Sequence, residues 1–183
     1  MSETLTDPLE PLKYPVGRMP RLTQPLTPAD RSAHLTILES APSRLRALAS
    51  GLVDRDLDQP YRPGGWTLRQ VFHHLPDSHL HAYARMKFAV SEDSPHVMTY
   101  DEQRWAEQGD AKYGPVEMSL AFLESLHVRW VAFLRSLPEA TWRRAFLHPE
   151  WGAVTIEESL TMYSWHCRHH TAHIEQGLRR IKG

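Results

Sequence analysis

The chain has 183 residues, of which 41% are hydrophobic and 23% charged, and its formal net charge is −1 at pH 7. This length suits one domain with a sizeable core, and the composition excludes a natively disordered chain. The balanced charge offers no field for nucleic acid or anionic lipid, and no apolar run approaches the ~18 residues of a membrane span. With a single cysteine and no secretory signal pattern, the chain is expected in the cytoplasm.

The N-terminal segment predicts an extended arm over residues 1–27. Six of the 14 prolines fall within the first 28 residues. Because proline fixes φ and lacks a backbone N–H group, such a stretch favours neither an α-helix nor a central strand. The remaining residues, 28–183, are expected to form a single domain.

The first two helices of that domain begin at capping signals. The first is predicted from residue 28 to about residue 50, after a threonine cap, with a kink near Pro42. The second is predicted from residue 68 to about residue 90, because a capping box precedes it. Pro76 lies inside this second helix, where it removes one backbone hydrogen bond and is expected to bend the axis.

The rest of the chain predicts two more long helices. An irregular stretch over residues 91–115 predicts a long crossover with one short helix near residues 101–107. Apolar residues at spacings of three and four then predict a third helix over residues 116–137, and a capping box introduces a fourth over residues 155–181. No strand pair is predicted. Four amphipathic helices imply an all-α four-helix bundle, a fold whose facing side chains commonly build metal sites.

Histidine is the unusual feature of the composition, with 12 residues. The second predicted helix carries His73, His74, His79 and His81, and the fourth carries His166, His169, His170 and His173. On the fourth helix two pairs, 166/170 and 169/173, are four residues apart, so either pair could place two imidazoles on one face.

Helical periodicity distinguishes the two pairs. His170 lies about 40° and His166 about 80° from the centre of the apolar stripe of the fourth helix. His169 and His173 lie about 140° and about 100° from it. We therefore predict that His166 and His170 face the bundle interior, and that His169 and His173 occupy rim or outer positions.

The second helix leaves the choice of a third ligand open. Before any bend at the proline, His79 lies nearest the apolar stripe and His74 lies next, whereas His73 points outward. On spacing alone, a metal site and a set of solvated or hydrogen-bonded core histidines explain the pattern equally well.

Two sequence blocks carry a resemblance to a known family. Residues 61–79 read YRPGGWTLRQVFHHLPDSH, and residues 165–174 read WHCRHHTAHI. With shorter matches at residues 100–102, 126–130 and 148–150, the chain resembles the YfiT-like branch of the DinB superfamily over nearly everything after the arm.

This resemblance implies a homodimeric four-helix bundle that holds one divalent metal ion per subunit with three histidines. It assigns the ligands to His74 in the second helix and to His166 and His170 in the fourth, which agrees with the inward pair. Zinc is the first candidate and nickel the second, although imidazole accepts several divalent ions. The chain departs from the family at Pro76, where alanine is usual, and a bend there would alter the aim of His74 or Asp77.

Other side chains near the two blocks are weaker candidates. Asp77 could orient a ligand imidazole or a metal-bound water, although a solvated helix carboxylate is the plain alternative. Cys167 lies on the apolar stripe and is predicted to be a core residue rather than a ligand or nucleophile. Arg62, Arg69 and Arg168 could bind a carboxylate of a substrate, or could lie on the surface.

A three-histidine site predicts an enzyme. Three neutral imidazoles leave open positions on the ion, and such an ion lowers the pKa of bound water or thiol. The resemblance implies either transfer of a low-molecular-weight thiol such as bacillithiol to an electrophile, which we favour, or metal-dependent hydrolysis. A non-enzymatic metal- or ligand-binding stress protein is the alternative from another class. The expected partners are a small-molecule substrate and a second copy of the chain, with neither nucleic acid nor membrane.

Overall fold

The computed structural model describes residues 7–182. Four long helices dominate the fold: α2 (Pro28–Ala49), α4 (Leu68–Ser91), α7 (Val116–Arg135) and α8 (Ile156–Lys182). The shorter elements are α1 (Glu10–Lys13), α3 (Asp54–Leu57), α5 (Glu102–Ala106), α6 (Gly109–Tyr113), a 3-10 helix (Glu139–Arg143) and strands β1 (Ala145–His148) and β2 (Gly152–Thr155). The four predicted long helices are confirmed. None of the described helices combines the length and apolar character that crossing a bilayer requires.

Local sequence explains where three of the long helices begin. Thr27, Thr67 and Thr155 each accept a hydrogen bond from the backbone N–H three residues later. The side chain at that later position accepts a bond from the threonine's own N–H in return. These reciprocal bonds satisfy N–H groups that a helix start otherwise leaves unpaired. Pro42 and Pro76 lie inside α2 and α4, and neither proline ends its helix.

The bundle has two diagonal pairs of helices. Both α2 and α4 pack against α7 and against α8, so α2 lies diagonally across from α4. The connections from α2 to α4 and from α7 to α8 therefore cross the ends of the bundle. The long crossover between α4 and α7 contains two short helices, α5 and α6, where the sequence predicts one.

A layer of histidines separates two apolar clusters in the core. One cluster is built around Trp130 and Leu160 and the other around Phe72 and Leu123. The histidines at positions 79, 127, 166 and 170 lie in sequence between the residues of the two clusters on α4, α7 and α8, and His74 lies next to Leu75 at the edge of the second cluster. Because buried polar groups must find partners, this layer is where a bundle of this kind can hold a site.

The described part of the arm is not fully extended, which corrects the prediction for residues 1–27. Residues 10–13 form the single turn α1, and residues 1–6 lie outside the described range. The arm is attached to α8 by hydrogen bonds from the Trp165 indole to Gly17 O and from the Gln176 amide to Leu12 O.

The prediction that the chain has no strand pair is also wrong. β1 and β2 form an antiparallel hairpin from Ala145 opposite Thr155 to His148 opposite Gly152. Each strand has four residues, which is too short for an alternating pattern to stand out from the sequence. Gly152 has φ of 72°, a left-handed conformation that glycine adopts without steric cost. The hairpin places His148 and the turn that follows it beside the bundle.

A buried ion pair links α2 to the start of α8. The Arg31 guanidinium donates to Glu157, and both side chains are 6% exposed. Glu157 also accepts from the backbone N–H of Leu26, and Arg31 reaches the exposed Glu139. Removing one partner of such a pair leaves an uncompensated buried charge, which is far more costly than losing an exposed pair.

We predict that Glu157→Ala lowers the free energy of unfolding by about 3 kcal/mol. The double variant Arg31→Met/Glu157→Met should lose less, because it removes both charges and retains volume. Urea unfolding measures both, with Glu39→Ala, which breaks an exposed pair with Arg135, as the control. A loss for Glu157→Ala no larger than that of the control would contradict the role of this pair.

Candidate metal centre

A cavity of about 560 Å³ lies between α4 and α8, and this size suits a small molecule. The arm, the loop before α4 and the β-hairpin complete its walls. Its lining residues include Lys13, Tyr14, Met19, Tyr61, Arg62, Trp66, His74, Ser78, Arg85, Tyr100, Glu102, His148, Glu150, Trp151, Tyr163, Trp165, His166, His169, His170 and His173. The cavity is thus rich in aromatic rings and imidazoles.

Three of these histidines converge. His74, His166 and His170 each offer one ring nitrogen, and the three nitrogens lie within 4.8 Å of one another. Nε2 of His74 is 3.2 Å from Nε2 of His166. The ring centroids of His74 and His166 are 4.8 Å and 4.4 Å from that of His170. The helix bend expected at Pro76 therefore does not keep His74 away from the pair on α8.

A chain of two buried histidines sets the tautomer of His166. His127 Nδ1 lies 2.6 Å from the carbonyl oxygen of Leu38, and a carbonyl can only accept, so His127 carries its proton on Nδ1. Its Nε2 then accepts from His79 Nδ1 at 2.7 Å. His79 Nε2 in turn accepts from His166 Nδ1 at 3.0 Å. The consequence is a free lone pair on Nε2 of His166, the nitrogen that faces His74.

His170 is oriented in the same way by the arm. His173 Nε2 lies 3.1 Å from the carbonyl oxygen of Lys13 and must donate to it. His173 Nδ1 is therefore an acceptor, and it lies 3.4 Å from Nδ1 of His170. His170 thus keeps its proton on Nδ1 and has its lone pair on Nε2. Both α8 members of the cluster present Nε2 because a backbone carbonyl fixes the protonation of a neighbouring histidine.

The donor set fits a divalent metal ion. Burial lowers the pKa of His74 to about 4 and holds those of His166 and His170 well below 6.5, so all three are neutral at pH 7. Lone pairs that face one another repel unless a proton or a cation lies between them. Two zinc–nitrogen bonds of about 2.0–2.1 Å at a tetrahedral angle span about 3.3 Å between nitrogens, close to the 3.2 Å between His74 and His166.

Two neighbouring clusters fit a metal less well. His79, His127 and Cys167 lie close together, but every nitrogen of the two histidines already has a partner. Burial also raises the pKa of the Cys167 thiol to about 12, so a thiolate ligand is disfavoured there. In the second cluster, which joins positions 169, 170 and 173, both nitrogens of His173 are occupied.

Three histidine positions differ from the sequence prediction. His169 and His173 were expected at the rim, but they are 7% and 2% exposed, because the arm covers this face of α8. His73 was expected to point outward, yet it is buried against α7 and bonded to Ser119 and to Gly114 O. The amphipathic stripe of an isolated helix cannot reveal a segment that packs on its polar side.

The cysteine and the three arginines that the sequence offered as weaker candidates differ in their relation to the cavity. Cys167 is 1% exposed and belongs to the core, as predicted. Of the three arginines, Arg62 lines the cavity, Arg69 is bonded to Asp54, Asp58 and Gly114 O, and Arg168 is exposed.

Asp77 is half-buried and lies outside the cavity lining. Within residues 7–182, the hydrogen bonds that orient His166 and His170 come from His79 and His173 rather than from this carboxylate.

Sequence reasoning missed two functional candidates. His127 appears on the core side of α7, and its four-residue spacing from Leu123 and Val131 is indistinguishable from that of an apolar residue. Arg85 lies about three turns beyond His74, the predicted ligand on α4, and gives no signal of its own. The only clue was that positions 74, 78 and 85 share one helical face.

The chain is thus a four-helix bundle in which three imidazoles converge in the lining of a cavity. The family model of the DinB superfamily matches residues 37–174. The chain belongs to the DinB superfamily.

Relatives narrow this assignment to the YfiT-like branch. The chain is 41% identical over 172 residues to the protein named "Putative metal-dependent hydrolase YfiT" from Bacillus subtilis, covering 93% of this chain and 96% of that one. It is 42% identical over 170 residues to a "Putative metal-dependent hydrolase" from Bacillus cereus, covering 93% and 97%.

Solved structures agree with this fold. The structure of Bacillus subtilis YfiT, described as having "an unusual four-helix bundle topology", superposes with a TM-score of 0.91 at 39% identity and covers 94% of this chain and 98% of that one. The four-helix bundle protein TT2238 superposes with a TM-score of 0.54 at 20% identity, covering 79% and 98%, which supports the fold alone.

We predict that Asp77→Asn stabilises the protein at neutral pH. Burial, with a smaller contribution from Asp110, raises the pKa of the Asp77 carboxyl to about 6. The folded state therefore favours the protonated form, and the ionised form destabilises it above about pH 6 but not below about pH 4. This pKa shift corresponds to roughly 3 kcal/mol of unfolding free energy. Because the Asp77 side chain is only half-buried, solvent screening reduces the expected gain to about 1 kcal/mol.

Urea unfolding at about pH 7.5 and at about pH 4, with equal metal content in both proteins, measures this gain. The stabilisation should be present at the higher pH and small at the lower one. Equal gains at both values would show that Asp77 is not titrating as its burial implies.

Proposed function

We propose that the protein is a metal-dependent enzyme in which His74, His166 and His170 bind one divalent ion, zinc first and nickel second. The observation that carries this proposal is the convergence of three neutral imidazole nitrogens in the lining of a cavity large enough for a small molecule. Such a donor set leaves the charge of the ion uncompensated and positions on it open, as in catalytic rather than structural sites. When bound, the ion would lower the pKa of a water or thiol that reaches it.

The protein's own groups position this centre. The Leu38 carbonyl, His127 and His79 hold the Nδ1 proton of His166, and the Lys13 carbonyl and His173 hold that of His170. Partners of this kind fix the orientation of a ligand imidazole and raise its basicity. These buried histidines therefore act through the ligands rather than on the substrate.

The substrate is a small molecule with apolar surface. Trp66 lies against His74 at 4.8 Å between ring centroids, and Trp165 stacks on His169 at 4.3 Å. Tyr163 also lines the cavity, and Arg62 adds positive charge to the lining. The aromatic walls would exclude water from the reacting atoms and favour an electrophile of modest size.

The nucleophile that we favour is a low-molecular-weight thiol of the bacillithiol type. A thiol with a pKa near 8.5 needs only a modest shift to ionise at neutral pH, so it requires no protein base. The carboxylates of the lining are exposed, Glu102 as the first residue of α5 and Glu150 in the hairpin turn, and neither is bonded to the three histidines. Cys167 cannot replace an external thiol because it is buried and protonated.

The second candidate is hydrolysis by activated water. The names of the relatives from Bacillus subtilis and Bacillus cereus support it, since both describe metal-dependent hydrolases. The same cavity and the same three histidines would serve either reaction, and the two differ only in the nucleophile.

We predict that alanine at position 74, 166 or 170 abolishes stoichiometric zinc binding. His169→Ala is the matched control: it removes a buried imidazole from the same helix and should leave one zinc per chain. His173→Ala should weaken zinc binding by about 10–100-fold, because it frees the Nδ1 proton of His170. Metal analysis of purified variants and competition with a zinc chelator provide the readouts. Unchanged zinc content in all three alanine variants would refute the ligand set.

We also predict that the zinc-loaded protein conjugates a small thiol, such as cysteine, to 1-chloro-2,4-dinitrobenzene. The sulfur would displace chloride, and the thiol proton would pass to the buffer. Cys167→Ala should retain the rate, and His170→Ala should fall to the uncatalysed rate. Metal-dependent cleavage of 4-nitrophenyl acetate without thiol conjugation would instead favour the hydrolase, and the absence of both reactions with zinc bound would favour a binding protein.

A further inference from the structure

Arg85 is a buried cation at one end of the cavity. Its side chain is 9% exposed and lines the cavity together with His148 and Tyr163. One terminal nitrogen donates to the carbonyl oxygen of Met98 at 2.6 Å. Its Nε is buried and has no hydrogen-bond partner among the described residues. A buried donor without a partner destabilises the folded protein, so a ligand that supplies an acceptor to Nε would be bound favourably.

The charge of Arg85 is also uncompensated. The other two buried arginines within residues 7–182 are each paired with carboxylates: Arg31 with Glu139 and Glu157, and Arg69 with Asp54 and Asp58. Arg85 has no carboxylate within 4.0 Å among the described residues. Burying an unpaired charge destabilises the folded protein. Because the other buried arginines are paired, the unpaired charge of Arg85 points to an anionic ligand.

The position of Arg85 relates it to the three histidines. His74, Ser78 and Arg85 line the cavity from one face of α4, at spacings of four and seven residues. The eleven residues from His74 to Arg85 span about 16 Å along the helix axis. A ligand that reached both ends would therefore be elongated, with its reacting end at the histidines.

A second donor lies near Arg85. His148 is 6% exposed, and its Nδ1 accepts from the backbone N–H of Glu150 at 3.3 Å. A neutral His148 therefore carries its proton on Nε2. Glu150 lines the cavity but is exposed and is not paired with Arg85. This end of the cavity thus combines a guanidinium and an imidazole N–H, the donor set that a carboxylate needs.

We infer that Arg85 binds the carboxylate of an elongated small substrate whose opposite end reacts at the three histidines. The statement about the reacting end rests on the proposed function, whereas the carboxylate site rests on Arg85 and the neighbouring His148. The guanidinium fork would receive two oxygens through Nε and a terminal nitrogen, which compensates its charge and satisfies the unpaired donor. An uncharged analogue of the substrate would leave the charge of Arg85 uncompensated and its Nε donor without a charged acceptor.

The test uses zinc-loaded protein and the probes benzoate and benzyl alcohol, which differ in charge but little in size. Titration followed by the ¹H–¹⁵N resonance of Arg85 Nε, assigned with Arg85→Lys, should give a saturable shift with benzoate and binding at least tenfold weaker with benzyl alcohol. Arg85→Met should lose benzoate binding by at least tenfold, measured by calorimetry. Lys87→Met, which removes an exposed charge from the same helix, should retain it.

The same titration with His166→Ala separates this site from the metal centre. If benzoate still shifts Arg85 Nε in that variant, the carboxylate site stands whether or not the histidines bind zinc. Inorganic phosphate is titrated in parallel, and tighter binding of phosphate than of benzoate would overturn the assignment to a carboxylate. Equal benzoate affinity in the wild type and Arg85→Met, or no saturable shift up to about 50 mM benzoate, would overturn the inference.

Discussion

Two backbone carbonyls determine how the centre of this bundle is protonated. The carbonyl of Leu38 on α2 and that of Lys13 in the arm each force a neighbouring histidine to donate, and this choice passes to His166 and to His170. Burial keeps each imidazole in these two hydrogen-bonded series neutral, so each ring has one donor and one acceptor nitrogen. The carbonyl at the start of each series therefore determines which nitrogen of every following ring carries the proton. The arm and α2 thereby influence the three converging histidines through backbone carbonyl groups.

The fold was largely predictable because its main elements carry local signals. Threonine caps and apolar spacing locate the starts of α2, α4 and α8. The hairpin was missed because β1 and β2 are too short to show an alternating pattern, and because β1 is also held by backbone bonds of Leu147 to Pro95 and Val97, which are distant in sequence. The turn α1 was missed because the proline content of the arm outweighed its short helical pattern.

The candidate site was predictable only in part. Periodicity selected His166 and His170 because their inward direction is a property of α8 alone, whereas the choice of His74 over His79 depended on a family resemblance. The structure supplies the physical reason for considering both, since His74 faces the cavity and His79 bonds to the back of His166. Burial of His173 and the unpaired charge of Arg85 depend on how the arm, the hairpin and α4 come together, and no single segment encodes them.

The most direct measurement of the central claim is the protonation state of each ring nitrogen, read from ¹⁵N chemical shifts of the zinc-loaded protein with labelled histidine. We expect His79 and His127 to carry their protons on Nδ1, His173 on Nε2, and both His166 and His170 to be protonated on Nδ1 with Nε2 shifted by zinc. A proton on Nε2 of His127 or on Nδ1 of His173, or zinc bound through Nδ1 of His166 or His170, would contradict the claim that the two carbonyls orient this centre.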